Sequence, residues 1–456
     1  MIYNAGMKVA NLLENAQATT VFDRFLPGMR KMVESNAQAS SLSVEQLVRY
    51  TRNPKAEEVI AALNAALNEL NTPENAITPT EAKLIEYFKT VDMEDRSHPV
   101  KPTGHNQSAI YPGQPWLDTK GKRIQAHGGA VYYEDGVYYW YGENKEHTDG
   151  KNGIWTWGLK VYASCDLVNW EDKGFLIPPV LDNPNAALFP TKRVDRPHIV
   201  KCALTGKYVC WIKLSGPEAA FTIWQADSLL GPYEMVENLY NPGGHKAGDF
   251  DLIVDSETEK AYLYFDADHS SMLCMELSSD YLHAVKEVAK SYANLQPPFT
   301  REAPALFEKD GKKFMFTSGM TGYVPNRSDS AVSESWDSEF KPLGDPHIRD
   351  DSCASFNSQI SKIFRIEKTG QYVAMADRWL PETKVDARLA DVFTRVIAGT
   401  YDPEHFSFTD AERREMYAAN KLETANTSIA DYVWLPIEWD DGRPVLLWQE
   451  SWTPKL

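Results

Sequence analysis

The sequence predicts an all-β, five-bladed β-propeller catalytic domain preceded by a small all-α domain. Between residues 126 and 377, one pattern recurs five times: a polar residue, a short apolar strand, a turn and a second strand rich in aromatic residues. The copies read AHGGAVYYEDGVYYWYGE, DRPHIVKCALTGKYVCWIK, DFDLIVDSETEKAYLYFDA, EAPALFEKDGKKFMFTSG and QISKIFRIEKTGQYVAMAD. A strand-rich repeat of about 50 to 70 residues is typical of a propeller.

Each copy begins with a polar residue, which we call its leading residue. The leading residues are His127, Asp195, Asp249, Glu302 and Gln359. Because the innermost strand of every blade lines one central channel, we expect the leading residues to converge on a single cavity. Three of them are carboxylic acids, so this cavity is a candidate catalytic site.

Composition narrows the class of partner. The formal net charge of −17 argues against nucleic acid and anionic membranes, which the chain would repel. The 13 Trp and 22 Tyr provide rings for sheet packing and for stacking on the apolar faces of sugars. A neutral substrate is therefore expected.

Further features bear on compartment and cofactors. The five cysteines are scattered without CxxC spacing, as in a reducing compartment. The N-terminus lacks the pattern of a signal peptide and no stretch is apolar enough to span a bilayer, so we expect a cytoplasmic protein. Because zinc-ligand spacing and a glycine-rich phosphate loop are both missing from the sequence, we expect no metal and no cofactor.

Three segments divide the chain. Residues 1–90 carry apolar residues at helical spacing, with capping-box patterns at Ser43 and Thr78, and form the predicted helical domain. We expect this domain to serve packing or self-association, so a homo-oligomer formed through it is a hypothesis. Residues 91–115 are polar and rich in Pro and Gly, as in a linker, and residues 116–456 form the predicted propeller.

Glu302 is the leading residue with the clearest chemical role. It precedes an apolar strand, where burial and the nearby charge of Asp249 would raise the pKa of its carboxyl group. A general acid must stay protonated near neutral pH, which such a shift allows. A salt bridge to Arg301 is the alternative for Glu302. Asp251 alternates with Asp249 along one strand, and the repeat alignment selects Asp249 as the inward residue.

Other polar residues are candidates for binding. Asp195 heads the second copy, although a local ion pair with Arg196 is the alternative. Glu143 ends a strongly aromatic strand, where its carboxylate could accept two hydrogen bonds from adjacent sugar hydroxyls. A structural role is favoured over a catalytic one for His127, because no acid stands beside it in the sequence.

The chain resembles glycoside hydrolase family 43, whose fold is a five-bladed β-propeller, and within it the exo-β-1,3-galactanase branch. The resemblance covers roughly residues 114 to 440. The motifs that carry it are PWLDTKGKRIQAHGG, YYWYGENK, DRPHIV, REAP, TGYVPN, FNSQ, MADRW and YVWLP.

The resemblance implies a set of roles for the motif residues. Glu302 in REAP is implied as the general acid, Gln359 in FNSQ as an unusual base, and Asp249 as the group that tunes the pKa of the acid. The implied substrate-binding residues are Glu143, Asp195, Thr321, Tyr141, Tyr323 and Trp379.

One departure concerns the activation of water. Most members of the family carry a catalytic-base Asp at the head of the first blade, where this chain has Ala126, His127 and Gly128. The galactanase branch shares this absence. An amide is a poor base, so Gln359 must either relay a proton as its imidic tautomer or only orient the water.

The resulting prediction is an inverting, exo-acting hydrolase that releases galactose from β-1,3-linked galactan or galacto-oligosaccharides inside the cell. A β-xylosidase or α-L-arabinofuranosidase of the same fold is one alternative. A non-catalytic sugar-binding propeller is the other, because the acid of the first blade is missing.

Overall fold

The computed structural model describes residues 3–36, 39–40, 42–51, 53–72, 77–90, 107–419 and 424–456. The described part of the chain has an N-terminal helical region followed by a β-propeller. The helices described in the N-terminal region are α1 (Val9–Leu12), α2 (Ala16–Phe25), α3 (Met29–Glu34), α4 (Val44–Tyr50), α5 (Ala56–Asn68) and α6 (Pro79–Phe88).

Local sequence signals set the helical region. Both predicted capping boxes are confirmed, at Ser43 before α4 and at Thr78 before α6. Apolar side chains from α1 to α5 share one buried cluster. The ring of Phe88, at the end of α6, lies 5.3 Å from that of Trp157 and 5.5 Å from that of Phe189, so this helix is packed onto the propeller. Residues 91–106 of the expected linker lie outside the described residues.

The propeller is built from antiparallel sheets whose strands follow one another along the chain. The strands of the four-stranded sheets are β1 (His127–Glu134), β2 (Val137–Glu143), β3 (Leu159–Ser164) and β4 (Glu171–Ile177); β5 (Val194–Lys201), β6 (Tyr208–Leu214), β7 (Ala220–Ala226) and β8 (Glu234–Tyr240); β9 (Ala247–Val254), β10 (Ala261–Ala267), β11 (Ser271–Leu277) and β12 (Ala284–Ser291); and β13 (Glu302–Lys309), β14 (Lys312–Ser318), β15 (Asp329–Ser333) and β16 (Lys341–Gly344). The strands of the three-stranded sheets are β18 (Gln359–Arg365), β19 (Tyr372–Arg378) and β20 (Asp431–Pro436); and β17 (His347–Ile348), β21 (Glu438–Asp440) and β22 (Arg443–Leu447).

The predicted number of five blades is wrong, because the described chain forms six sheets. The difference arises at the C-terminal tail. Its first strand, β20, completes the sheet of β18 and β19, whereas β22 pairs in parallel with the short strand β17 and antiparallel with β21. This sixth sheet contains none of the five leading residues, and so the repeat in the sequence gave no sign of it.

Five of the sheets do begin at a repeat copy. Strands β1, β5, β9, β13 and β18 each carry a leading residue at or near their start. Neighbouring members of this set contact one another, and β18 contacts β1. The leading residues are therefore brought to one end of adjoining strands.

Two helices inside the propeller were not predicted. They are α7 (Ala387–Tyr401) and α8 (Asp410–Ala419), which lie between β19 and β20 in the chain. The apolar face of α7, with Val392 and Val396, shares a cluster with Trp379 and Tyr323. The two helices therefore support aromatic residues at one wall of the central cavity. Within the described residues, every helix is too short or too polar to span a bilayer.

Candidate active site

A β-bulge with a left-handed residue recurs directly after three of the leading residues and changes the direction of their side chains. Gly128, Arg196 and Ala303 each follow a leading residue and have positive φ values of 59°, 49° and 52°. At each place the strand register shifts, as in a β-bulge. A bulge bends its strand and redirects the adjacent side chain. The bulges thus turn the head of each strand out of the regular ladder and toward the common cavity.

Glu302 and Gln359 are in direct contact at the heads of β13 and β18. The Nε2 of Gln359 donates to Oε1 of Glu302 over 3.0 Å and to Oγ of Ser318 over 2.9 Å. The alternative, a salt bridge between Glu302 and Arg301, is not formed, because the guanidinium of Arg301 donates to the hydroxyl and the carbonyl of Thr317. The predicted acid and the predicted water-activating amide therefore lie on adjacent strands, rather than on opposite walls.

Arg196 joins three walls of the cavity. Its Nε lies 2.9 Å from Oδ2 of Asp249, and its Nη2 donates to Oε1 of Gln359 over 2.6 Å. Its backbone N–H donates to Oε1 of Glu143 over 2.9 Å. The second oxygen of Asp249, Oδ1, forms an ion pair with Nζ of Lys213 at 2.6 Å. Arg196 thus serves Asp249 and Gln359 instead of the local ion pair with Asp195.

The two carboxyl groups near Arg196 are driven to opposite protonation states. Burial in the cavity, and then the negative charge of Asp249, raise the pKa of Glu302 to about 8. Burial alone would raise the pKa of Asp249 too, but the charges of Arg196 and Lys213 outweigh it and hold that pKa well below its usual range. Near neutral pH the site therefore holds a protonated Glu302 beside an ionised Asp249.

Glu143 and Asp195 are held by protein groups. Glu143 is fully buried, its Oε2 lies 2.7 Å from Nζ of Lys145, and burial, opposed by Lys145, raises its pKa to about 7. Asp195 accepts a hydrogen bond from Nε1 of Trp155 over 2.8 Å and another from the Ser215 hydroxyl. Glu143 thus forms the wall behind Arg196, and Asp195 fixes the indole of Trp155.

The predicted aromatic and hydroxyl contacts divide into two groups. Tyr323 and Trp379 line one cavity with Gln359, and the ring of Tyr323 stacks at 6.0 Å on that of Trp155. Tyr141 lies in the hydrophobic core between the first two sheets, where its hydroxyl accepts from a backbone N–H. Thr321 is also turned inward, and its hydroxyl donates to the carbonyl of Val324 over 2.6 Å. The structure therefore places Tyr323 and Trp379 at the cavity, and it places Tyr141 and Thr321 inside the scaffold.

The head of the first blade has no room for an acid. His127 is fully buried, and its Nδ1 lies 3.0 Å from Oδ1 of Asp377. The next residue, Gly128, donates its N–H to Oδ2 of Asp377 over 3.1 Å. A Cβ on Gly128 would lie 2.4 Å from Oε1 of Glu143. Glu143 therefore occupies the space that a larger side chain at this position would need.

Sequence reasoning missed several residues of the site. Arg196 was considered only as a partner of Asp195, and Lys213, Ser318 and Asp377 were not singled out. Two of the four stood inside motifs already noted, Arg196 in DRPHIV and Asp377 in MADRW. Lys213 and Ser318 lie near the far ends of second strands, and only the folded register brings them beside the leading residues. Among the described residues, no cluster of His, Cys, Asp and Glu is arranged to hold a metal ion.

The family model of the glycosyl hydrolases family 43 matches residues 125–343. This segment, just under half of the chain, is similar to glycoside hydrolase family 43. The matched segment carries Glu143, Asp195, Asp249 and Glu302, whereas Gln359 and Asp377 follow it. No curated protein matches the sequence.

Solved structures of family 43 enzymes resemble the chain over most of its length. A β-1,3-galactosidase of the family is 26% identical with a TM-score of 0.60, over 76% of this chain and 64% of that one. This chain thus spans just under two thirds of that protein. A second β-1,3-galactosidase, solved with galactodeoxynojirimycin, is 25% identical with a TM-score of 0.60, over 75% of this chain and 100% of that one. An exo-β-1,3-galactanase from Clostridium thermocellum, 23% identical with a TM-score of 0.57 over 76% of this chain and 66% of that one, shares the fold.

Replacement of Gly128 by Ala tests the packing at the first blade. The new Cβ would meet Glu143 at 2.4 Å while φ stays at +59°. We expect Gly128→Ala to lower the free energy of unfolding by about 3 kcal/mol, measured by urea denaturation. Gly136→Ala is the matched control, because Gly136 also has positive φ, of +83°, but has open space around it. Its cost should be about 1 kcal/mol. Equal losses in the two variants would show that Glu143 does not fill the space beside Gly128.

Proposed function

We propose that this chain is an inverting, exo-acting glycoside hydrolase that releases galactose from β-1,3-linked galactan or galacto-oligosaccharides. The observation that carries the proposal is the pairing of Glu302, whose pKa is raised to about 8, with the ionised Asp249 at the head of adjoining strands. The choice of sugar is supported by the likeness to two β-1,3-galactosidases at 25% and 26% identity.

Glu302 acts as the general acid in this proposal. Its proton passes to the glycosidic oxygen as the bond from that oxygen to the anomeric carbon breaks. Asp249 stays ionised because Arg196 and Lys213 neutralise it, and its charge keeps the proton on Glu302 until the leaving oxygen needs it. The carboxyl pair thus divides the work between proton donor and electrostatic partner.

Gln359 holds the attacking water on the other side of the anomeric carbon. Its amide is positioned by Arg196 and Ser318. In the free site, Nε2 of Gln359 is bound to Glu302 over 3.0 Å, so this hydrogen bond must open for the sugar to enter. The rings of Tyr323 and Trp379 supply an apolar surface for the sugar.

Substrate and compartment complete the proposal. The partner is a neutral oligosaccharide, in keeping with the net charge of −17. We place the enzyme in the cytoplasm, because Cys165, Cys202, Cys210, Cys274 and Cys353 are all free thiols.

A product assay tests the substrate and the acid together. The purified protein is incubated with β-1,3-, β-1,4- and β-1,6-galactobiose, an aryl xyloside and an aryl arabinofuranoside, and free sugars are measured. Galactose from the β-1,3 isomer is expected, and xylose or arabinose alone would contradict the choice of sugar. Glu302→Gln should lower kcat by roughly 10²- to 10⁴-fold, because the amide has no acidic proton to give. Glu308→Gln, on the same strand but paired with Lys313 at its far end, is the control and should match the parent.

The pH profile tests the tuning of Glu302. Because the acid must be protonated, kcat/KM should fall as the pH rises through the pKa of Glu302, near 8. Asp249→Asn removes the nearby negative charge and leaves Lys213 and Arg196 unneutralised. Both effects favour the ionised form of Glu302, so the alkaline limb should move to lower pH. A limb that stays in place would show that Asp249 does not set the pKa of the acid.

A further inference from the structure

The free site leaves the proton of the attacking water without an obvious acceptor. The Oε1 of Gln359 already accepts a hydrogen bond from Nη2 of Arg196 over 2.6 Å, and its Nε2 donates to Glu302 and Ser318. An amide oxygen that faces a cation is an even weaker base than a free amide. Inverting hydrolases hold their two groups about 6.5–9.5 Å apart, whereas Gln359 touches Glu302 at 3.0 Å. Gln359 is therefore suited to orient a water molecule but not to take its proton.

The carboxylate of Asp377 lies on β19, the strand that pairs with β18 of Gln359. Asp377 on β19 is the register partner of Gln359 on β18, and residues directly opposite in an antiparallel pair project to the same face, with Cβ atoms roughly 5 Å apart. Asp377 lines the same cavity as Gln359, Ser318, Tyr323 and Trp379. Its position is thus on the side of Gln359 away from Glu302, which is the direction in which an inverting enzyme needs its base.

The surroundings of Asp377 hold its carboxylate in one orientation. Oδ1 accepts from Nδ1 of His127 over 3.0 Å, and Oδ2 accepts from the backbone N–H of Gly128 over 3.1 Å. The ring of His127 is fixed in turn by stacking on Tyr432 at 4.8 Å. Burial lowers the pKa of His127 and outweighs the opposing effect of Asp377, so the imidazole is neutral. Each carboxylate oxygen thus keeps a further lone pair for a water molecule in the cavity.

We propose that Asp377 is the general base of this site and takes the proton of the water that Gln359 orients. The assignment rests on the proposed hydrolytic function. In the step, the water oxygen bonds to the anomeric carbon, the bond from that carbon to the leaving oxygen breaks, and the leaving oxygen takes the proton of Glu302. One proton of the water passes to the carboxylate of Asp377. Exchange with solvent then returns the proton to Glu302 and removes it from Asp377. His127 is a positioning residue in this arrangement.

Rescue by azide tests the base directly. Azide attacks a sugar without losing a proton, so it replaces water where a base is missing. With β-galactosyl fluoride as substrate, Asp377→Ala should lower kcat for fluoride release by roughly 10²- to 10⁴-fold with KM within about threefold. Sodium azide should restore at least a tenth of the lost rate and give α-galactosyl azide. A kcat within threefold of the parent, or a low kcat that azide does not raise, would overturn the assignment.

Asp431→Asn is the matched control for loss of a buried carboxylate from the same sheet. Asp431 lies on β20, next to β19, and pairs with Arg123 at 2.6 Å outside the set of residues that line the cavity. Its kcat should stay close to that of the parent and be insensitive to azide. An azide-dependent gain in this control equal to that in Asp377→Ala would overturn the proposal, because the rescue would not be specific to Asp377.

A second variant covers the case in which Asp377→Ala does not fold. Asp377→Glu keeps the charge and an acceptor for His127 but displaces the carboxylate by one methylene group. Its kcat should fall about tenfold to a hundredfold while its circular dichroism spectrum matches that of the parent. A kcat equal to that of the parent would overturn the proposal.

The same assays separate this inference from the proposed function. If the parent releases xylose but no galactose, the choice of sugar fails, and the variants are measured with β-xylosyl fluoride, where the same azide rescue is expected. If the parent cleaves none of the glycosides or fluorides, the hydrolytic function and the role of Asp377 both fail. If the parent cleaves β-1,3-galactobiose while Asp377→Ala keeps its kcat, only the role of Asp377 fails.

Discussion

Arg196 lies at the centre of the site, with its guanidinium 2.9 Å from Asp249 and 2.6 Å from Gln359 and its backbone N–H 2.9 Å from Glu143. These three partners come from three different sheets. With the left-handed backbone at Arg196, its N–H reaches Glu143 while its side chain extends to Asp249 and Gln359. A buried cation must be paired, and the ionised Asp249 provides that pairing. The protonation states of the site follow from this arrangement.

The charge balance explains why one acid keeps its proton and another loses it. Asp249 forms ion pairs with Arg196 and Lys213, and so it remains ionised although it is buried. Glu302 lies beside this anion and accepts a hydrogen bond from the neutral amide of Gln359. Environment, rather than residue type, thus separates the two roles. On the far side of Gln359, His127 donates to Asp377, whose side chain lines the cavity where the first blade has no acid.

The repeat in the sequence was sufficient to find the heads of five strands, because period-2 strands with a turn at a fixed distance align without reference to tertiary structure. It led to Glu302, Asp249 and Gln359, which the structure brings together: Gln359 contacts Glu302 directly, and Arg196 joins Gln359 to Asp249. The repeat could not predict the number of sheets, because β17 pairs with β22 across about 100 residues and neither strand carries a copy of the repeat. Helix α7 was missed because strand signals dominate on both sides of it.

Side-chain direction was the other limit of the sequence. Tyr141 stood in an aromatic strand that looked suited to sugar binding, but the period of 2 points it into the core between two sheets. Arg196 and Asp377 were both present in recognised motifs, and neither has a chemical role until the bulge at Arg196 and the register of β18 on β19 are known. Long-range register therefore decides which polar residues of a motif meet.

The stereochemistry of the first product tests the central claim most directly. Hydrolysis of β-1,3-galactobiose by the parent protein can be followed by proton NMR during the first minutes, before the released sugar equilibrates between its anomers. Attack by water from the side opposite Glu302 predicts that α-galactose appears first and then converts toward the equilibrium mixture. If β-galactose appears first, the water approaches from the side of Glu302, and the account of this site is contradicted.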